Sequence, residues 1–545
     1  MSTLDWVILT VALSGIIMYG IYKSRTTRNL DGYFLSNRSM PWYMVLLSIM
    51  GTQASAITFL SAPGQAYTDG MRFVQYYFGL PIAMIVICIF FVPVFRSLKV
   101  YTAYEFLENR FDRKTRSLTS ALFLISRGLS TGISIYAPSI IISSLLDWNI
   151  YYTNLVMGGL LIIYTMSGGA KAVAYTQQLQ LIIIIAGMFL AGYMVVTLLP
   201  EGLGFTQAID IGGANGKMNI ITSGMKDGNF DWKDKYNIWS GVIGGFFLAL
   251  SYFGTDQSQV GRYLTAKSDK ESKLGLLTNG LIKVPMQFLI LLVGVLVFSF
   301  YQYHKAPIYF DDAKVIMAKK TSHKDSLVVL EQKYSDAMAN KDMAGATAMR
   351  AAYKNELKAA IPGDEANDTN FIFLRFVVDN LPKGLVGLLI AVIFLAAWGS
   401  IAAALNSLAS CTVVDFHKKF INTECSDAED YSISKWYTFA WGIFSIVVAM
   451  FAHNLGNSLI EAVNILGSLF YGVILGIFLV AFWIKYVGGN AVFIAAVISE
   501  LLVIMIYKLD IVSFLWLNVI GAVLVIVLSL VVQPFTRDTK PIANT

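Results

Sequence analysis

Apolar runs of about 20 residues, the length a helix needs to cross a bilayer, recur along this chain almost from end to end. No other feature restricts the fold as much. In hydrocarbon every backbone N–H and C=O must be satisfied within the protein, which leaves helices or closed barrels. The runs are continuous rather than alternating, so the chain reads as an all-α polytopic membrane protein. Only 14% of its residues are charged and its mean hydropathy is +0.61. A soluble domain carries about a quarter charged residues. Thirteen spans are expected, with approximate edges 5–22, 41–66, 73–97, 118–145, 149–167, 175–199, 237–257, 274–302, 383–414, 435–453, 458–484, 490–508 and 512–533. The first lacks a basic leader and a small-residue cleavage site, so it reads as a retained span.

Short-loop charges orient the spans. Lys23, Arg25, Arg28 and Arg38 follow the first; Arg96, Lys99, Arg110, Arg113, Lys114 and Arg116 follow the third. Arg262, Lys267, Lys270 and Lys273 follow the seventh, and Lys418 and Lys419 the ninth. All fall on one side, which the positive-inside rule makes cytoplasmic. The N-terminus is then outside and the C-terminal tail, with Arg537 and Lys540, inside. This asymmetry accounts for the net charge of +6 without a nucleic-acid partner. Cys88, Cys411 and Cys425 are scattered, and the four histidines form no cluster, so neither a disulfide framework nor a zinc site is indicated.

Two longer polar segments, 200–236 and 303–371, fall outside. The second contains Asp336–Ala360, whose Ala, Lys, Glu and Met content predicts one surface helix. It reads either as a cap packed on the outer face or as a docking site for an extracellular partner.

Several spans carry marks of function. Span 41–66 contains Gly51-Thr-Gln-Ala-Ser-Ala-Ile-Thr58 and then Pro63-Gly64; span 237–257 contains Gly241, Gly244, Gly245 and Gly254. Interrupted helices at corresponding places in two halves point to a transporter site. These two spans are five apart, an odd offset that would invert the second set of helices. Span 383–414 mixes Ala and Gly with Ser400, Asn406, Ser407, Ser410 and Thr412. Such groups are costly in lipid, so this helix must face protein, water or an ion. Lys283 and Glu461 are intramembrane ionisable residues, functional candidates by default. Lys283 either meets the solute or snorkels to the cytoplasmic interface. Glu461, near an outer end, is either a solute ligand or an interfacial carboxylate. No nucleophile–base pair, metal cluster or phosphate-cradling loop appears, so an enzyme is not expected.

The chain resembles the sodium/solute symporter family of sodium–glucose, sodium–iodide and multivitamin transporters, as a bacterial-type member. The resemblance covers residues 30–485. It rests on Tyr33-Phe-Leu-Ser-Asn-Arg-Ser-Met-Pro-Trp42, Thr102-Ala-Tyr-Glu-Phe-Leu-Glu-Asn-Arg-Phe111, Tyr164-Thr-Met-Ser-Gly-Gly-Ala-Lys-Ala-Val-Ala-Tyr-Thr176, Thr255-Asp-Gln-Ser-Gln-Val-Gly-Arg-Tyr-Leu264 and Ala404-Leu-Asn-Ser407, in that order. It implies a LeuT-type core of two inverted five-helix repeats, 41–199 and 237–484, the second carrying the insertion 303–371. Around it stand an extra N-terminal helix and loop (1–40), an extracellular loop (200–236), and two extra helices with a short tail (485–545). The implied location is a bacterial inner membrane, and the implied action is sodium-coupled import of a small polar solute by alternating access.

The resemblance also implies a site for Na+. Gly51 and Ala54 would offer carbonyls from the first core helix, and Ala396 one from the eighth. Gly399 and Ser400 fall on the two hydroxyl positions, of which only Ser400 keeps its hydroxyl; the alternative for Ser400 is a bond to its own helix. Where some members bind a second sodium, this chain has Gln177, Ala402 and Ala403, so one sodium per solute is expected. For the solute, the matched positions are Lys283, Glu461, Tyr252 with Phe253 beside it, and Gln53, Thr58 and Tyr77 as polar lining; Leu80 and Ala249 can only pack. A sugar, an acidic sugar, a small carboxylate and an inorganic anion all stay open. So do a vitamin as solute, a channel, and a membrane solute sensor, the last disfavoured by the short C-terminal tail.

Overall fold

In a computed structural model, residues 1–24, 30–146, 148–340, 342–422, 427–452 and 458–536 are described. Arg25, Arg28, Cys425, Arg537 and Lys540, read above as loop or tail residues, lie outside them. Runs that must satisfy their own backbone become helices, and among the described residues ten are long and apolar enough to cross a membrane. Two shorter apolar helices, Ile150–Met166 and Ser240–Gly254, accompany them.

Helix α1 (Thr3–Ser24) precedes the core. The second expected span is broken: α2 (Trp42–Gln53) ends and α3 (Ala56–Asp69) begins after two non-helical residues. Leu80–Val86 (α4) and Val92–Ser97 (α5) are joined by a π-helical turn at Ile87–Phe91. Helix α6 (Arg113–Leu146) follows, then α7 (Ile150–Thr197). Tyr164 and Thr176 share a 2.5 Å side-chain hydrogen bond within α7. Twelve residues of straight helix would separate them by roughly 18 Å. The chain therefore folds back between the apolar parts Ile150–Met166 and Val173–Thr197.

Helix α8 (Phe205–Ala214) lies in the first polar segment. A π-helical turn at Ser240–Gly244 leads into α9 (Gly245–Gly254), then α10 (Gln257–Leu264) and α11 (Asp269–Phe300). The glycines of this span do not make the break expected of them. Gly241 and Gly245 let α9 approach another backbone: an added Cβ would sit 2.2 Å from the Gln75 carbonyl and 2.6 Å from that of Tyr76. The interruption comes later, at Thr255–Asp256, where the Asp256 side chain accepts from Ser258 N and starts α10.

After a short helix, Asp312–Ala318, the insertion carries α12 (Lys324–Ala339) and α13 (Met343–Ala360), which divide the segment Asp336–Ala360 expected to be one helix. Asp342 divides them by capping α13, its carboxylate accepting from Gly345 N. The insertion has its own apolar centre around Leu327, Tyr334, Tyr353 and Leu357. It is pinned by buried Asp368, which takes Arg350 at 2.9 Å, Lys354 at 2.7 Å and the Phe310 N–H at 3.0 Å. Arg350 also lies over the Tyr67 ring of α3, so the cap is seated on the broken helix. Helix α14 (Thr369–Asn380) leads back to the membrane.

The polar–small helix is α15 (Leu385–Cys411), buried along nearly its whole length. Helices α16 (Asp427–Phe451), α17 (Leu459–Trp483), α18 (Gly489–Lys508) and α19 (Phe514–Val532) complete the chain.

Two of the motifs quoted above interlock at the face opposite the insertion. Gln257 accepts from Ala103 N and donates to the Tyr101 carbonyl, and the Tyr104 hydroxyl donates to the Thr255 carbonyl. Thr102, Arg116 and Ser120 all donate to buried Asp415. Arg116 and Arg262 are thus not solvated loop charges as the topology reading took them. Arg116 is enclosed in this network, and Arg262 is buried with Nε and Nη1 unpartnered among the described residues.

Candidate functional site

The break between α2 and α3 falls at Ala54 and Ser55, against the high helix propensity of alanine, so the surrounding packing rather than local preference holds it open. Ala54 leaves helical geometry (ψ 74°) and Ser55 is extended (ψ 166°). Ala54 N still donates to Met50 O, and Ser55 N to Gln53 O. No donor among the described residues reaches the Gly51 or Ala54 carbonyl. Both carbonyl oxygens are thereby left without a protein donor among the described residues.

Helix α15 faces this break. Ser400 lines the cavity beside it and donates to the Ala396 and Ala397 carbonyls at 3.0 and 3.1 Å. The back-bond to its own helix, the alternative given for Ser400 above, is the one seen, and Thr52 and Ser55 line the same cavity. Gly399 packs closely against α7. A Cβ there would fall 2.4 Å from Gln180 Oε1 and 3.3 Å from Gln177 Cγ, so a serine would collide unless Gln180 moved. Gln177 is fully buried and braces three helices. Its Oε1 accepts from Ser48 at 2.8 Å, while Nε2 donates to Thr52 Oγ1 at 3.2 Å and to the Gly399 carbonyl at 3.0 Å.

Next to these groups lies a cavity of about 150 Å³. Gln53, Thr58, Tyr77, Tyr252, Phe253 and Lys283 all line it, as do the apolar Leu80 and Ala249. Gln53 is held by Asn279 at 3.1 Å and Thr58 by the Gln53 carbonyl at 3.3 Å. Lys283 does not snorkel: it is 1% exposed, its ammonium stands 5.5 Å from the Tyr77 ring centroid, and no carboxylate approaches it among the described residues. Tyr252 accepts from Gln259 at 2.7 Å, which fixes its ring against the cavity.

Glu461 is not brought to this cavity. It opens α17 at the insertion side, where Lys235 lies 3.0 Å away and the Tyr236 hydroxyl donates at 3.2 Å. Its direction from the start of the helix turns it away. Asn464, three residues on, lines the cavity instead and accepts from Tyr76 OH at 3.1 Å.

A cluster that sequence reasoning did not assemble closes the opposite side. Arg127 of α6 pairs with Asp256 at the α9–α10 break and donates to Tyr471 of α17 at 3.0 Å; Tyr471 in turn donates to Asp256 at 2.9 Å. Arg127 also lies over the Tyr252 ring at 5.4 Å and lines the cavity. The signal for it was present. Arg127 is an ionisable residue inside span 118–145, the same criterion that singled out Lys283.

A helical bundle with an interrupted helix beside a polar, aromatic-lined cavity is the arrangement of a secondary transporter. The chain matches the description Sodium:solute symporter family over residues 33–339 and 337–499. It belongs to that family and is a sodium-coupled solute symporter, not an enzyme. It is 24% identical to the sodium/sialic acid symporter NanT of Aliivibrio fischeri, over 98% of this chain and 94% of the relative. It is also 24% identical to the sodium/glucose cotransporter of Vibrio parahaemolyticus, over 90% and 83%. Its fold is that of a sodium-coupled sialic acid symporter solved in a substrate-bound outward-open state: TM-score 0.79, 23% identity, 99% of both chains covered. That likeness establishes the LeuT-type architecture.

Proposed function

We propose that this symporter imports a small, hydroxyl-bearing organic anion, an acidic sugar or related carboxylate, with one sodium ion per solute. The observation that carries the proposal is Lys283, buried in the cavity wall with no acidic partner among the described residues. Arg127 also lines the cavity, but Asp256 balances it. One positive charge is left for the solute to neutralise, and burying it unpaired is otherwise costly. Gln53, Thr58, Thr131, Ser134 and Asn464 supply donors and acceptors for hydroxyls, and Tyr77, Tyr252 and Phe253 supply flat faces for a ring. The sialic acid symporters among the relatives carry an acidic sugar, which favours this reading over a neutral sugar.

Sodium would sit between the Gly51 and Ala54 carbonyls and the Ala396–Ser400 turn, with Gly399 offering no side chain. The one-ion stoichiometry rests on Gln177: its N–H donors point at Thr52 and Gly399, where a second cation would need acceptors. One sodium with one monoanion moves no net charge. A tenfold sodium gradient then contributes about 1.4 kcal/mol, enough for roughly tenfold accumulation. The insertion and N-terminus would lie outside a bacterial inner membrane, with repeats 41–199 and 237–484 rocking about the cavity.

A solute panel in proteoliposomes with an imposed sodium gradient tests this, with counterflow separating a carrier from a channel or a sensor. Carboxylated sugars should be taken up without a current. Lys283→Ala should lose solute binding and keep sodium binding, and Ser400→Ala should weaken sodium dependence. Normal uptake by Lys283→Ala, or two sodium ions per solute, would overturn the reading.

A further inference from the structure

The solute cavity is not the only concavity in the spans. A second, of about 380 Å³, lies between the Val173–Thr197 part of α7 and α11, with Phe59 of α3 as its floor and Phe205 of α8 at its edge. Its walls are apolar, built from residues such as Met188, Ile290 and Leu296. On α11 it spans residues 286 to 296, which lie roughly 5 to 20 Å beyond Lys283 toward the insertion side. The groove therefore opens within the half of the bilayer nearer the insertion.

What lies outside it follows from the rest of the surface. Phe189 and Tyr193 at its rim are 61% and 64% exposed, and Leu289 42%; Ile182 and Leu281 continue the same apolar belt along α7 and α11. That belt is the surface the bilayer covers, so the groove is continuous with the hydrocarbon phase. A groove of this size left unfilled would forfeit dispersion contacts on every wall. A flexible chain of methylenes can enter and recover them; a headgroup, water or solute would be stranded without a polar partner.

We propose that this groove is a binding site for one acyl chain of a phospholipid in the leaflet on the insertion side. The chain lies between α7 and α11 and ends against Phe59. Phe59 is 1% exposed, and the neighbouring Thr58 lines the solute cavity. The lipid chain and the solute thus touch successive residues of the same half-helix. The site stands whatever the solute is.

The test uses the full-length protein in phosphatidylethanolamine–phosphatidylglycerol vesicles doped with a phosphatidylethanolamine that carries a diazirine midway along one acyl chain. After photolysis, adducts are mapped by mass spectrometry. Phe59, which annular lipid cannot reach, should be labelled in the wild type along with Met188 and Ile290. Gly192→Leu provides a plug: a Cβ there meets only Val293 Cγ2, at an ordinary 3.5 Å, so the side chain enters the groove without a backbone clash. Gly192→Leu should lose the Phe59 adduct and keep labelling at Leu281 on the open belt. An unlabelled Phe59 in the wild type overturns the proposal by itself, whatever the variant does. A Phe59 adduct that survives Gly192→Leu overturns it as well.

Discussion

Gln177→Leu probes the brace that holds the cation site together. The side chain joins α2, α7 and α15 through three hydrogen bonds, from Ser48 and to Thr52 and Gly399, in a fully buried position. Leucine occupies similar volume and makes none of them. Inter-helix hydrogen bonds inside membranes average about 0.6 kcal/mol each and reach about 1.7, so the variant should be destabilised by about 2 kcal/mol and by no more than about 5. Two kcal/mol is roughly a 30-fold shift in the folding equilibrium. Steric-trap or denaturant unfolding in bicelles reads this directly. The same bonds set the distance between the Gly51 and Ala54 carbonyls on one side and Ser400 on the other. The sodium concentration giving half-maximal uptake should therefore rise together with the loss of stability, and Ser48→Ala, which removes one bond, should produce a smaller change of the same sign. If Gln177→Leu unfolds within about 0.5 kcal/mol of wild type, the ordinary range of an inconsequential surface change, and leaves sodium dependence untouched, the brace is not what shapes the site.

Asp256→Ala strands Arg127 inside the bundle and should cost about 3–5 kcal/mol, whereas the double variant Arg127→Met/Asp256→Ala should recover most of it; a double-mutant cycle in unfolding experiments measures the coupling. Glu461→Gln should leave uptake near wild type, because the carboxylate faces half-exposed Lys235 rather than the cavity, while Asn464→Ala should raise the solute KM; transport lost in the first and kept in the second would reverse the placement. In the insertion, burial pushes the Asp311 carboxyl up to about 6 against the pull of Lys314, from about 3.9 in an unfolded chain. Folding then favours the protonated form, so the contribution of Asp311 is full below about pH 4 and up to roughly 3 kcal/mol of it is lost as pH rises through about 6. Asp368 falls outside this window: burial works against its charge, but Arg350 and Lys354 outweigh it and hold its carboxyl below the usual range. Hydrogen exchange across 303–371 should show the slope in the wild type and its loss in Asp311→Asn.

Much of this protein is legible along the chain because its constraints are local. Hydrocarbon forces each 20-residue apolar run to close its own hydrogen bonds, so the apolar runs are helical, although ten of the helices among the described residues are long and apolar enough to cross a membrane where thirteen spans were expected. The Gly51–Thr58 stretch breaks within the segment read as interrupted, although Ala54 itself favours a helix, and Lys283 announces itself as a charge in an apolar run. The hydroxyls and amide from Ser400 to Ser410 on α15 likewise demanded a helix facing protein, water or an ion, and that helix is buried. What the chain did not disclose are meetings between distant residues. Arg127 finds Asp256 and Tyr471 across 129 and 344 positions. Gly399 lies against the Gln180 side chain of another helix, a contact nothing near it in the chain reveals. The glycines of span 237–257 looked like a break and serve close packing, and Glu461 was one residue type with two possible directions until the start of α17 turned it toward Lys235. Periodicity and desolvation act within a segment and can be read from one. Which atoms come within 3 Å of each other across helices depends on the rotation and crossing of every helix at once, and only the assembled bundle decides that.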